Sequence, residues 1–313
     1  MNVASFKSTL QEVLDSEVAN LKLYATTKQG DTKKVSISDE VSDSLLELFK
    51  NNITDMFLNE EKEYRLKPIE QSSEEEAKAY YYFTSETIYE KLEKLHGFNC
   101  VQNEEIFNFE DTNLNDIETF YISIATEAKS ITLYKKNYPI NLLKRGKTLF
   151  FTKSSTSIDE FKNDILKIDQ SFQFIACDEH VVIANLSMLE KQLGYDTVIT
   201  QKAREIVNTI ASLGFLEDIV KLQEMTDSTR IAKKLNLIKE SQVFSVIQTD
   251  VEKVKIFISK IEDLKKSLKF NSENKLQVNS KIGVEKFLKL LDDDYLKSEL
   301  TENVYDSLNK EKV

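Results

Sequence analysis

The chain has no tryptophan, only two cysteines and two prolines, and six glycines in 313 residues. So little glycine and proline argues against a sandwich or barrel of many tight turns and for long helices. Cys100 and Cys177 are far apart in sequence, which gives no disulfide framework and fits a reduced, cytosolic protein. No apolar run approaches the roughly 18 residues that a membrane span needs. Met1–Leu14 lacks a basic start followed by an apolar core, so it does not read as a signal peptide.

Catalytic motifs are equally scarce. The only histidines are His96, expected at a helix end, and His180, expected in a surface turn. No CxxC, HxxxH or HExxH spacing exists, so neither a zinc site nor any other cofactor is expected. Lys144-Arg145-Gly146-Lys147-Thr148 has the lysine and threonine of a P-loop without its glycine-rich approach, and neither GxGxxG nor GxSxG occurs. Asp292-Asp293-Asp294 reads as a solvated acidic cap, because consecutive helical residues point different ways. An enzyme is therefore not expected.

Net basic charge is also missing: the chain carries 42 Lys+Arg against 53 Asp+Glu. The balance is uneven. Residues 201–313 hold 20 basic and 19 acidic residues, and 229–289 alone hold 14 and 7. The whole has the wrong sign for a nucleic-acid binder and one segment the right sign. Three basic clusters stand out. They are Lys144, Arg145 and Lys147; Arg230, Lys233 and Lys234, with no acid between Thr229 and Lys239; and Lys253, Lys260, Lys265, Lys266 and Lys269 on what reads as one helix. Lysine binds phosphate as a point charge and reads no sequence by itself.

The apolar pattern predicts an α+β protein: an N-terminal and central β-rich part with packed helices, and a helical C-terminal part. A helix over Ser5–Asp15 precedes a hairpin of Val18–Thr26 and Lys33–Ser38. Ser38-Asp39 caps a helix with Val41, Leu45, Leu48, Phe49 and Ile53 on its stripe. The acids of Ser72–Glu76 read as the start of a helix running through Tyr80–Phe83. Ile88–Leu95 reads as helical, and Phe98–Asp116 as a loop or linker. Strands are expected at Thr119–Ala125, Ser130–Tyr134 and Thr148–Phe151. A helix over Ile158–Ile168 follows, then a hairpin of Phe172–Ala176 and Val181–Leu186. From Ser187 the period turns helical, with Gly194 as a stop and Ala203, Ile206, Val207 and Ile210 on one face. Val251–Leu268 repeats at three and four over about five turns. The expected division is 1–116, an acidic α+β region, and 117–313, a central sheet (119–186) with C-terminal helices (187–313). Surplus apolar surface at 80–83 or 251–268 points to a homodimer.

Several stretches carry a likeness. They are Phe172–Ala176; Val181–Asn185; Met188-Leu189-Glu190 with Leu193-Gly194-Tyr195; Leu216-Glu217-Asp218-Ile219; Arg230-Ile231-Ala232-Lys233-Lys234-Leu235; and the tail Asp294-Tyr295-Leu296 with Tyr305-Asp306. Over roughly 147–241 and 291–306 they resemble the KwaB family, the cytoplasmic subunit of the bacterial Kiwa anti-phage system. Met188 stands where that family often has phenylalanine. The resemblance implies a defence effector that binds phage DNA largely without sequence specificity and blocks its replication and transcription. It also implies a membrane-embedded partner, KwaA, and so a place at the inner membrane through that partner. The residues alone leave two other readings open: a metal-dependent nuclease and a non-catalytic protein-binding scaffold.

Overall fold

The computed structural model describes residues 2–96, 105–138, 151–153, 158–160, 166–238, 242–297 and 304–306. It divides into two compact units, Met1–Ile69 with Glu75–Leu189, and Glu70–Glu74 with Glu190–Val313.

The first unit opens with α1 (Val3–Leu14), capped by Asn2, whose side chain accepts from the Ser5 amide at 2.8 Å. Its buried stripe is Phe6, Leu10, Val13 and Leu14. β1 (Asn20–Thr27) and β2 (Thr32–Val35) form the expected hairpin, turned at Gly30 with φ +92°. α2 (Asp39–Ile53) starts at the Ser38 cap and buries Leu45, Phe49 and Ile53, while Val41 is exposed. The chain continues through β3 (Arg65–Pro68), β4 (Ala79–Thr84), the short α3 (Glu93–His96), β5 (Ile117–Ala125), β6 (Ser130–Lys136), β7 (Phe151–Lys153), β8 (Ile158–Glu160), β9 (Phe174–Cys177) and β10 (His180–Ile183).

One sheet of eight strands organises the unit, in the order β2-β1-β5-β6-β9-β10-β4-β3. Neighbours are antiparallel except β3 and β4, which are parallel. Side chains alternate across a strand. Leu21, Leu23, Ile122, Leu133, Ile175 and Val182 therefore share one face with α1 and α2. Phe57 centres that core, its ring 5.2 Å from Phe6 and 4.8 Å from Tyr80. The two edges are protected differently. Lys34 of β2 binds residues 105–107 through its own N–H and C=O. On β3, the Arg65 and Ile69 amides point to β4, so Pro68 faces outward with no N–H to offer another strand.

Several expectations are corrected here. Residues 79–84 are strand, not helix, because four successive aromatics suit a strand buried on both faces. Tyr82 enters the α1–α2 core, and Tyr81 and Phe83 are buried on the opposite side. Residues 158–160 pair with 151–153 as a small hairpin, and 166–168 carry no regular structure, so the helix expected over 158–168 is absent from the described part of that stretch. The described part of 98–116 is no linker: Ile106 bridges Lys34, and Phe107 is 5% exposed in the core. Residue 116/117 is likewise not a boundary between compact units, since β1 pairs with β5 along its whole length. His180 lies in β10 opposite Thr84; the turn is only Asp178-Glu179.

The second unit is mainly helical. After a π-helical turn at Met188–Gln192 and Gly194 (φ +78°) come α4 (Tyr195–Ser212), α5 (Val220–Met225), α6 (Thr229–Ile238), α7 (Gln242–Thr249), α8 (Val251–Lys260) and α9 (Glu262–Ser267). Then follow β11 (Lys269–Phe270), β12 (Leu276–Gln277), α10 (Lys281–Leu291), β13 (Tyr295–Lys297) and β14 (Val304–Asp306). α4 buries Ile199, Ala203, Ile206, Val207 and Ile210, the face its spacing predicts. The helix expected over 251–268 is broken at Ile261, which is extended. Glu262 and Asp263 open α9, where the helix dipole favours acids. Val254, Ile258, Leu264 and Leu268 are all buried, as are Tyr81, Tyr82 and Phe83. Much of the apolar surface that suggested a homodimer is thus packed inside the chain, while Ile256 of α8 stays 53% exposed.

Candidate nucleic-acid interface

The three basic clusters fare differently. Lys144, Arg145 and Lys147 lie outside the described residues. In α6, Arg230 remains on the surface, its side chain 77% exposed and 3.4 Å from Glu285 of α10. Lys233 does not: its side chain is 9% exposed and its Nζ lies 2.6 Å from Glu190, which is 12% exposed. Lys234 Nζ lies 2.7 Å from Asp294 and 3.9 Å from Asp292. Lys233 and Lys234 are therefore not the surface cations that their acid-free stretch suggested. Acids remote in sequence neutralise them, and a buried charge needs such a partner. The acidic run is corrected with them: Asp294 is buried and paired, not a solvated cap.

The third cluster stays in solvent. Lys253 and Lys260 are exposed on α8, seven residues and two turns apart, so they share a side of the helix. Lys265 on α9 and Lys269 on β11 are exposed as well. These four make no ion pair among the described residues. Lys266 is 3.3 Å from Glu262, both more than 70% exposed, a pairing that water and salt weaken. Lys255, between them, is turned inward: it binds Glu252 and lies 5.9 Å from the centre of the Phe270 ring.

Other polar groups are held by local structure. Lys135 is 5% exposed and its Nζ donates to Asp169 at 2.5 Å and to the Ser171 carbonyl at 2.8 Å. The Lys135 bond, with those from the Ser171 hydroxyl and amide, holds the Asp169 carboxyl well below the usual carboxylate range. Burial pushes the Cys177 thiol up to about 12, with the Asp178 carboxylate adding to the effect, so it is a poor nucleophile. His180 packs edge-on to Tyr82, ring centres 5.4 Å apart. Among the described residues no three His, Cys, Asp or Glu side chains cluster to hold a metal.

A groove of about 560 Å³ in the first unit was not legible in the sequence. It gathers Lys7, Lys62, Arg65 and Lys78 from separate segments, with Glu60 and Glu63 among them. Lys62 pairs with Asp55 and Arg65 with Glu76, so its charge is largely balanced.

Among the described residues no helix is long and apolar enough to cross a membrane. No solved structure matches the chain. Kiwa protein KwaB of Escherichia coli O55:H7 (strain RM12579 / EPEC) is 24% identical over 318 residues, which cover 100% of this chain and 99% of that one. The model of the family described as "Kiwa protein KwaB-like" matches residues 114–301, from just before β5 to beyond β13. With more than half its length matched, the chain belongs to the KwaB-like family of Kiwa proteins.

Proposed function

We propose that this chain serves Kiwa anti-phage defence as a DNA-binding effector. It grips the phosphate backbone without reading sequence and so impedes phage replication and transcription, with no catalysis of its own. The observation that supports this best is the set Lys253, Lys260, Lys265 and Lys269, exposed and without ion pairs among the described residues. Lys266 and Arg230 are exposed as well, each within 3.4 Å of an acid. Lysine ammonium groups attract phosphate and release its counterions, which yields affinity but little base discrimination. Contact with the envelope comes through a membrane-embedded partner of the KwaA kind, which holds the chain at the inner membrane.

Binding of two unrelated duplexes of equal length, followed by fluorescence anisotropy with magnesium present, tests this. Equal affinities with the DNA left intact are expected. Shortened DNA would instead make the chain a nuclease. Absence of binding even at low salt would leave a protein-binding scaffold.

A further inference from the structure

The second unit carries a half-open pocket of about 250 Å³, whose lining shares only Lys253 with the proposed DNA-binding surface. Val243 and Val246 of α7, Val254 and Phe257 of α8, and Leu290 of α10 give it apolar walls. At about 30 Å³ per water it has room for roughly eight waters, the scale of a small metabolite. Two charges of opposite sign also line it, Lys253 and Asp293. They do not pair with each other, and among the described residues neither side chain has an ion-pair or hydrogen-bond partner. Asp293 is held by its backbone, at φ +56° with its amide on the Leu290 carbonyl, so its position is fixed without help from its carboxylate.

A half-open apolar pocket with an exposed cation and an exposed anion on its lining is complementary to one kind of ligand. A plain hydrocarbon would leave both charges idle, and a simple anion or cation would meet one of them with repulsion. We infer that this cavity binds a small zwitterion with an apolar body, of the class of free aliphatic or aromatic amino acids. The carboxylate faces Lys253, the ammonium faces Asp293, and the side chain lies against Val246, Val254 and Phe257.

The test is calorimetric titration of the full chain, without DNA, so that it stands apart from the DNA-binding reading. The probes are L-leucine and L-phenylalanine, with glycine, phenylpropionate and phenethylamine as partial mimics lacking the body, the ammonium and the carboxylate. Leucine or phenylalanine is expected to bind at least about tenfold more tightly than any of the three. Lys253→Ala and Asp293→Asn, both at surface positions, are each expected to weaken that binding by about tenfold or more. Val246→Phe, which fills the chamber, should abolish it. No binding of either amino acid at about 10 mM overturns the inference. So does phenylpropionate or phenethylamine binding as well as phenylalanine. The comparison of probes on the unaltered chain decides the matter even if a variant fails to fold.

Discussion

Asp169 takes three hydrogen bonds from two residues: Lys135 Nζ and Ser171 Oγ at 2.5 Å, and the Ser171 amide at 3.0 Å. Its folded-state pKa is depressed, so it stabilises the fold above its unfolded value of about 3.9, and that contribution is lost as pH falls toward the folded value. Asp169→Asn should therefore be less stable than the parent in urea at neutral pH, with the gap closing below about pH 4. A gap that stays constant across pH would show that the carboxylate's charge is not what matters. The role of Asp169 was not visible in the sequence. Its partner Lys135 is 34 residues away, just past the strand expected at Ser130–Tyr134. The ion pairs of α6 hid for the same reason. Lys233 meets Glu190 across 43 residues and Lys234 meets Asp294 across 60, so a local count of charge could not see either.

At the scale of elements, one pair ties the turn at Met188–Gln192 to α6. Both members are nearly buried, so removing one leaves the other charged and unpaired. Lys233→Ala is expected to cost about 3 kcal/mol by chemical denaturation, and Glu190→Ala a similar amount. Lys233→Met with Glu190→Leu should cost much less than the two truncations added together. Additive losses would contradict a direct coupling. Elements with a clear apolar pattern were legible: α4 buries the face its spacing predicts, α2 buries Leu45, Phe49 and Ile53 of its stripe though not Val41, and β5 and β6 lie on the apolar runs expected to be strands. β4 was not, because Tyr80–Phe83 is aromatic at every position and carries no period to distinguish helix from strand. Nor was the break between α8 and α9, where apolar spacing runs on unbroken through an extended Ile261.

At the scale of the molecule, the α+β class and the helical C-terminal part were legible, and the division into units was not. Eight strands drawn from residues 20 to 183 share one sheet, and such long-range pairing leaves no mark in local composition. The charge division was legible and bears directly on function. Of the net −11, residues 1–200 carry the excess acid, while 201–313 hold 20 basic and 19 acidic residues. Backbone binding by so acidic a chain would have to draw on the exposed lysines of α8, α9 and β11. Arg230, Lys233 and Lys234 reversed together would be a poor probe of it, since a glutamate at 233 would face Glu190. Lys260→Glu, Lys265→Glu and Lys269→Glu combined is the informative variant, because all three residues are exposed and surface changes usually cost within about 0.5 kcal/mol each. The decisive measurement is DNA affinity against salt concentration for the parent and this triple variant. The parent's log K is expected to fall by about 0.9 per phosphate contact for each decade of salt, and the folded variant to bind more weakly with a slope shallower by about two to three. A folded variant with the parent's affinity and slope would contradict the assignment of DNA binding to this surface.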